Sequence, residues 1–169
     1  MPTRLGNRLR AAETYSFLRY NLDAAVIWPR LRETLPKEFV ARLGDAKMNM
    51  DLMIVLTTLA LSFGVAWGGA LLALPDASLA VYKWVAAPVV LLAGIGIARV
   101  AYLNAAESAL SYGELLKTAF DLYRWEVLKA LHLDPPSDLE SEKKLWGEIG
   151  GLLYRNYPFQ TPWKHSAEE

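Results

Sequence analysis

The sequence predicts an all-α integral membrane protein, with a two-helix transmembrane hairpin and N- and C-terminal cytoplasmic helices packing as one unit. Two observations lead to this fold. Two long apolar runs, residues 52–74 and 79–98, are separated only by residues 75–78, and both flanks carry apolar residues at helical spacing. A soluble chain of 169 residues would also have too little protein left to cover two such helices.

The first apolar run, residues 52–74, contains no ionisable side chain. Roughly 23 residues at about 1.5 Å per residue give a helix long enough to cross the hydrocarbon core. The alternative is a hairpin buried in a soluble domain, but a soluble core helix rarely stays apolar on every side over six turns. A cleavable signal peptide does not fit, because the run is too long and starts far from the N-terminus.

The second run, residues 79–98, carries Lys83 near its start, and Arg99 follows its end. These cations are separated by about 24 Å along a helix, which suits two side chains that reach opposite membrane interfaces. Trp84 lies beside Lys83 and Tyr102 lies near Arg99, as in the aromatic belts of membrane proteins. We expect these four residues to be interfacial anchors.

The charges predict a multi-pass protein of the cell (inner or plasma) membrane with both termini in the cytoplasm. Two crossings return the chain to its starting side, and residues 1–51 carry nine Lys or Arg against six Asp or Glu. Cationic flanks favour the cytoplasmic side. The acidic C-terminal flank either packs against this basic flank or stays solvated apart from it. The lipid bilayer is the first predicted partner, and residues 75–78 form a short external turn.

The N-terminal flank, residues 1–51, is predicted to form amphipathic and juxtamembrane helices. Pro29 is expected to end the first helix, and residues 30–35 to connect it to a second helix that begins at Pro36 and enters the membrane. The first helix is recognised by an apolar stripe at helical spacing, formed by Tyr15, Leu18, Leu22 and Val26.

The C-terminal flank begins with a long cytoplasmic amphipathic helix over residues 99–133, which has no proline to separate it from the second span. A Pro-Pro pair ends it. Residues 134–154 contain the next helix, which Ser137 and Glu140 start as a capping box. Residues 155–169 form an extended aromatic tail.

Several residues break the pattern of the long helix. Leu110, Trp125 and Leu128 lie on or near its polar face, so we expect them, with Trp163 of the tail, to contact partners. Glu126 lies inside the apolar stripe and is a candidate for an unusual buried carboxylate. It either binds a cation or a partner's arginine, or simply pairs with the basic first flank or faces water.

Small residues recur at four-residue spacing in both apolar runs and predict close helix packing. This spacing lets two backbones approach closely in lipid, where association gains little from the hydrophobic effect. The stripes pack either the two helices of one hairpin or two separate subunits, and both alternatives stay open. The residues are Ala60, Gly64 and Gly68 in the first run and Gly94 and Ala98 in the second.

The composition argues against several classes of function. With no cysteine and only two histidines, thiolate chemistry is excluded and no ligand spacing supports a metal site. No nucleophile elbow, phosphate-binding glycine loop or paired carboxylates are visible, and no basic patch points to nucleic acid. We therefore expect no enzyme and no cofactor.

The function predicted is a non-catalytic membrane subunit or scaffold that forms a homo-oligomer or docks partners of a membrane complex. An alternative is a regulated pore or membrane-perturbing effector. The order of a helix, two membrane helices and a long cytoplasmic helix resembles the two-transmembrane SLATT modules of bacterial conflict systems, and that resemblance implies pore formation. An enzyme acting on lipid at the cytoplasmic surface is the third possibility.

Overall fold

The computed structural model describes residues 3–73, 80–159 and 161, and these residues form five α-helices. Two of the helices are long and apolar enough to cross a membrane, as the sequence predicted. The predicted turn, residues 75–78, lies outside the described residues. The helices are α1 (Arg4–Tyr20), α2 (Ala24–Thr34), α3 (Lys37–Ala73), α4 (Ala80–Ala130) and α5 (Leu139–Arg155).

The chain divides into two compact units. The first, here called the flank unit, comprises Met1–Gly44 and Leu110–Glu169. The second, the hairpin unit, is Asp45–Ala109. Helices α3 and α4 each contribute residues to both units.

The break between α1 and α2 comes earlier than predicted, and Pro29 does not end a helix. Asn21 adopts a left-handed conformation with φ of 55°, and its N–H donates to the Phe17 carbonyl at 2.8 Å, which closes α1. Asp23 then starts α2 by accepting the N–H of Ala25 at 2.9 Å. Pro29 is the sixth of the eleven residues of α2, where its missing N–H removes one bond of the helix.

The predicted connection over residues 30–35 is also wrong, because α2 continues to Thr34. Helix α3 begins at Lys37, one residue after the predicted start at Pro36. The Pro36 carbonyl accepts the N–H of Val40 at 3.0 Å, the first bond of the α-helix. Helix α4 continues from the second apolar run into the C-terminal flank without interruption, as expected.

Helix α5 begins with a different cap from the predicted one. The cap is Asp138 rather than Ser137, because the Asp138 carboxylate accepts the N–H groups of Glu140 and Ser141 at 2.9 Å each. The Ser137 hydroxyl donates to that carboxylate at 3.1 Å instead. These donors, the backbone N–H of Ser141 most strongly, hold the pKa of Asp138 below its ordinary value.

One hydrophobic core joins both flanks of the chain within the flank unit. Residues that precede α3 pack with residues of α4 and α5, so the two ends of the sequence form a single compact body. The fully buried side chains of this core are large: Leu22, Ile27 and Leu31, then Phe120, Val127 and Leu128, then Trp146 and Ile149.

The first part of the predicted tail folds back onto this core. Residues 156–159 are not helical, and Phe159 packs against the core. The backbone N–H and the hydroxyl of Thr161 donate to the Glu148 carboxylate at 3.2 and 2.8 Å. The described tail thus lies on the chain's own surface.

Candidate functional site

The small-residue stripes meet each other inside the hairpin unit. A Cβ built on Gly94 would lie 2.8 Å from the Ala60 carbonyl oxygen and 2.9 Å from the Gly64 Cα. One built on Gly68 would lie 3.3 Å from the Ala87 carbonyl oxygen. The two backbones therefore approach as closely as glycine allows. The structure shows these residues in the contact between α3 and α4 of one chain.

Burial in the hairpin unit is inverted relative to an ordinary protein core. Large apolar side chains face outward, with Phe63 60%, Val65 62% and Leu92 65% exposed. In the apolar 18-residue segment of α3 only 11% of the segment is buried, and in that of α4 only 22%. Apart from Met50, the buried residues in the described part of this unit are glycines and alanines: Gly64, Gly68, Ala87, Gly94, Ala98, Ala101, Ala105, Ala106 and Ala109.

The four predicted interfacial anchors all lie on α4. Trp84 is 69% exposed, Arg99 is exposed, and Lys83 and Tyr102 are half-buried. Their side chains are thus at least partly available to whatever surrounds the helix.

The predicted partner-contact residues have different environments. Leu110 is 44% exposed, and Trp125 is half-buried with the Arg124 guanidinium 4.6 Å from its ring centroid. The prediction for Leu128 is wrong, because Leu128 is only 1% exposed and belongs to the core. The core covers more of α4 than a single stripe. Trp163 lies outside the described residues.

Among the described residues of the flank unit, the buried carboxylate is Glu142. Glu126 is exposed, as in the alternative in which it faces water, so it is not the buried carboxylate for which it was a candidate. Glu142 is 4% exposed, and its Oε1 lies 2.6 Å from the Arg124 Nε. The Trp146 indole N–H donates to the same oxygen at 3.3 Å. The sequence carried a signal for this site, since Glu142 shares the apolar side of α5 with Leu145 and Trp146.

Asp121 holds α1 against α4 through two tyrosines. The Tyr20 hydroxyl donates to Asp121 Oδ1 at 2.7 Å, and the Tyr15 hydroxyl donates to Oδ2 at 2.9 Å. The Arg124 guanidinium stacks on the Tyr20 ring, 4.2 Å from its centroid, and donates to the Asp121 carbonyl. Burial, and then the hydrogen bond to Asp121, raise the pKa of both tyrosines above the ordinary value of 10.0.

These polar groups are saturated by one another. Within the described residues, every buried side-chain nitrogen or oxygen has a hydrogen-bond partner. A saturated network of this kind fixes the positions of helices. We interpret the network as structural.

An open cleft of about 500 Å³ lies between α1, α2 and α4 in the flank unit. Phe17, Trp28 and Phe120 line it, and the carboxylates of Glu13 and Asp23 lie at the same cleft. Phe17 is 56% exposed, so the cleft presents apolar surface to its surroundings. Such a lining can accept an apolar side chain of a partner.

In residues 3–73, 80–159 and 161, no group of three His, Cys, Asp or Glu side chains is arranged to hold a metal ion. His132, the histidine in this range, adopts a left-handed conformation with φ of 56° just after α4.

Comparison of the chain with protein-family models, with curated proteins and with solved structures finds no match.

Proposed function

We propose that the protein is a non-catalytic membrane subunit or scaffold. The hairpin unit anchors the chain in the bilayer, and the flank unit docks partners at the cytoplasmic face. The inverted burial of the hairpin unit is the observation that carries this proposal.

Two apolar helices whose large side chains face outward are unfavourable in water and favourable in hydrocarbon. A contiguous apolar surface on a soluble protein promotes association or aggregation. In a bilayer the same surface is solvated by acyl chains, and a helix satisfies its backbone hydrogen bonds internally. The core helix of a soluble protein is mostly buried, whereas the apolar segments of α3 and α4 are only 11% and 22% buried.

The organisation of the flanks supports the proposed topology. A hairpin requires both flanks on one side of the membrane, and the flank unit combines Met1–Gly44 with Leu110–Glu169 in one body. The cations of residues 1–51 favour the cytoplasmic side. We propose a multi-pass protein with both termini in the cytoplasm.

The docking role is supported by exposed apolar side chains on the flank unit. Phe17 at the cleft is 56% exposed and Leu18 beside it is 75% exposed. Exposed apolar patches of this kind are typical of interaction surfaces. We propose that the partner is a second copy of the chain or another subunit of a membrane complex.

The two threonines of the first span favour an anchor over a pore. The Thr57 hydroxyl donates to the Met53 carbonyl at 2.8 Å, and the Thr58 hydroxyl donates to the Ile54 carbonyl at 3.1 Å. Hydroxyls bonded to their own helix are compatible with a lipid environment and do not need a water-filled path.

Membrane insertion can be tested by cysteine labelling, because the chain contains no cysteine. Val89 and Glu126 are both exposed in the structure, but only Val89 belongs to the proposed span. In sealed vesicles of known orientation, a membrane-impermeant maleimide should label E126C from the cytoplasmic side. It should label S78C, in the predicted turn, from the opposite side and leave V89C unmodified. Equal labelling of V89C and E126C, or release of the chain by alkaline carbonate, would overturn the proposal.

The docking role has a separate test, with light scattering in mild detergent as the measurement. We expect a particle larger than one chain, and L18D should reduce its mass. L139D, at another exposed leucine, is the control and should leave the mass unchanged. A monomer that co-purifies with no other membrane protein would contradict the docking role.

A further inference from the structure

The contact between Gly64 and Gly94 sets the register of the hairpin. Gly64 lies against Gly94 and Gly68 lies against Ala87, so α3 and α4 run antiparallel within the unit. Arg99 is five residues beyond Gly94, whereas Asp51 is thirteen residues before Gly64. At 1.5 Å per residue, Arg99 therefore lies about 12 Å nearer the middle of the hairpin than Asp51.

The charged residues of α4 on either side of Arg99 bracket this position. Glu107 is thirteen residues beyond Gly94, at the level of Asp51, so the polar ends of the two helices coincide there. Lys83 is four residues before Ala87, which places it level with the far end of the α3 apolar run. Lys83 and Arg99 are about 24 Å apart, less than the roughly 30 Å of a hydrocarbon core. Lys83 lies at the outer end of the apolar layer, and its distance from Arg99 is shorter than the layer is thick. Arg99 therefore lies inside the layer, near its cytoplasmic side.

The surroundings of Arg99 leave its charge uncompensated. Arg99 is exposed, and Ile95 and Leu103, one turn away on either side, are 45% and 39% exposed. A Cβ on Gly96, at the preceding turn, would meet nothing within 4 Å. No carboxylate pairs with Arg99 in the part of the chain that the structure describes. A cation in such a position is costly unless it finds an anion or reaches the interface.

We propose that Arg99 binds the phosphate of a phospholipid of the cytoplasmic leaflet, an inference that rests on the proposed membrane insertion. The arginine side chain is long enough to extend from the apolar layer toward the headgroups. Its planar guanidinium matches a phosphate with two parallel hydrogen bonds. Phospholipid phosphates are the anions nearest to a lipid-facing side chain at this depth. A lipid with net negative charge binds more tightly than a zwitterionic one.

The test uses the full chain in mixed micelles of phosphatidylglycerol and phosphatidylcholine, with native mass spectrometry to count the lipids retained. The wild type should retain phosphatidylglycerol preferentially, and R99L should reduce that retention about fivefold, the factor expected of one cation near an anionic headgroup. R99K should retain an intermediate amount of phosphatidylglycerol, because lysine keeps the positive charge but lacks the planar guanidinium that forms two parallel hydrogen bonds. K129L, at an exposed cation of the flank unit, is the matched control and should behave as the wild type.

The outcomes separate this inference from the proposed function. Equal retention by R99L and the wild type, with insertion intact by V89C protection, overturns the lipid site alone. Failure of V89C protection overturns the proposed function as well. Loss of a co-purifying membrane protein in R99L with lipid retention unchanged would assign Arg99 to a partner's carboxylate and overturn the lipid site. Far-ultraviolet circular dichroism of R99L should match the wild type, and a loss of helix would overturn the view that Arg99 faces outward without a structural partner.

Discussion

The two units of this protein pack by opposite rules. In the flank unit the largest side chains are inside, with Trp146 at 0% and Phe120 at 2% exposure. In the hairpin unit glycine and alanine are inside, while Trp84 is 69% exposed. Burial of large side chains is favourable when the surrounding solvent is water. Close contact between small residues is favourable when that solvent is lipid. The difference is the one expected of two units in two solvents.

The largest effect is expected when a tryptophan is replaced by alanine in each unit. W146A removes a fully buried indole from the flank unit and should lower its free energy of unfolding by about 3–5 kcal/mol. W84A removes an exposed indole from the hairpin unit and should change stability little. Thermal melting in mild detergent, followed by near-ultraviolet circular dichroism and by hydrogen exchange of α5, measures both. Similar losses in the two variants would contradict the inverted packing of the hairpin unit.

The second test concerns the ion pair at the centre of the flank unit. E142Q leaves the Arg124 guanidinium with a weaker partner in a largely buried position and should cost about 1.5–3 kcal/mol. The double variant R124L/E142L should lose less than the sum of the losses in R124L and in E142L, because no unpaired charge remains. E140Q, on an exposed position of the same helix, is the control for urea unfolding curves. Strict additivity would show that the pair is not coupled.

The sequence predicts a unit well when the residues that determine its structure are close together in the chain. The hairpin could be predicted well, because apolar length and the four-residue repeat of Gly64 and Gly68 are local signals, and the helix that covers them follows directly in the chain. The break at Asn21 and Asp23 was also local, but the cap residues outweighed Pro29 as the boundary. Pro29 lies in the middle of α2, where it removes one backbone hydrogen bond, but the helix continues to Thr34.

The flank unit was predicted less well, because residues far apart in sequence cover α4 from more than one side. Leu128 was assigned to a polar face from the periodicity of α4 alone, but the core that includes Ile27 and Trp146 buries it. The same single-stripe view made Glu126 a candidate for a buried carboxylate, but it is exposed, as in the alternative in which it faces water. A helical wheel shows which residues share one face of a helix. It does not show how many of the faces are covered by other helices.

The third test adds a methyl group where the two helices of the hairpin unit leave no space for one. G94A places a methyl group 2.8 Å from the Ala60 carbonyl oxygen, so the two helices must move apart, and we expect a loss of about 1–2 kcal/mol. G96A is the matched control on the same helix, since its Cβ would meet nothing within 4 Å. It should be neutral or slightly stabilising, because alanine favours a helix over glycine. Thermal unfolding in mild detergent measures both, and equal effects would show that close packing at Gly94 is unimportant.

The smallest effect expected is a pH dependence confined to the flank unit. Burial and the hydrogen bonds to Asp121 raise the pKa of Tyr15 and Tyr20, so the folded state favours their neutral forms. Their contribution to stability is complete below the ordinary tyrosine pKa of 10.0 and is lost as the pH rises above it, because only the unfolded chain then ionises freely. The melting temperature of the flank unit should therefore fall above pH 10, and Y20F should reduce the slope. Y154F, at a tyrosine that is 74% exposed, should leave the slope unchanged. A slope that is equal in all three proteins would show that the tyrosine hydroxyls do not hold α1 against α4.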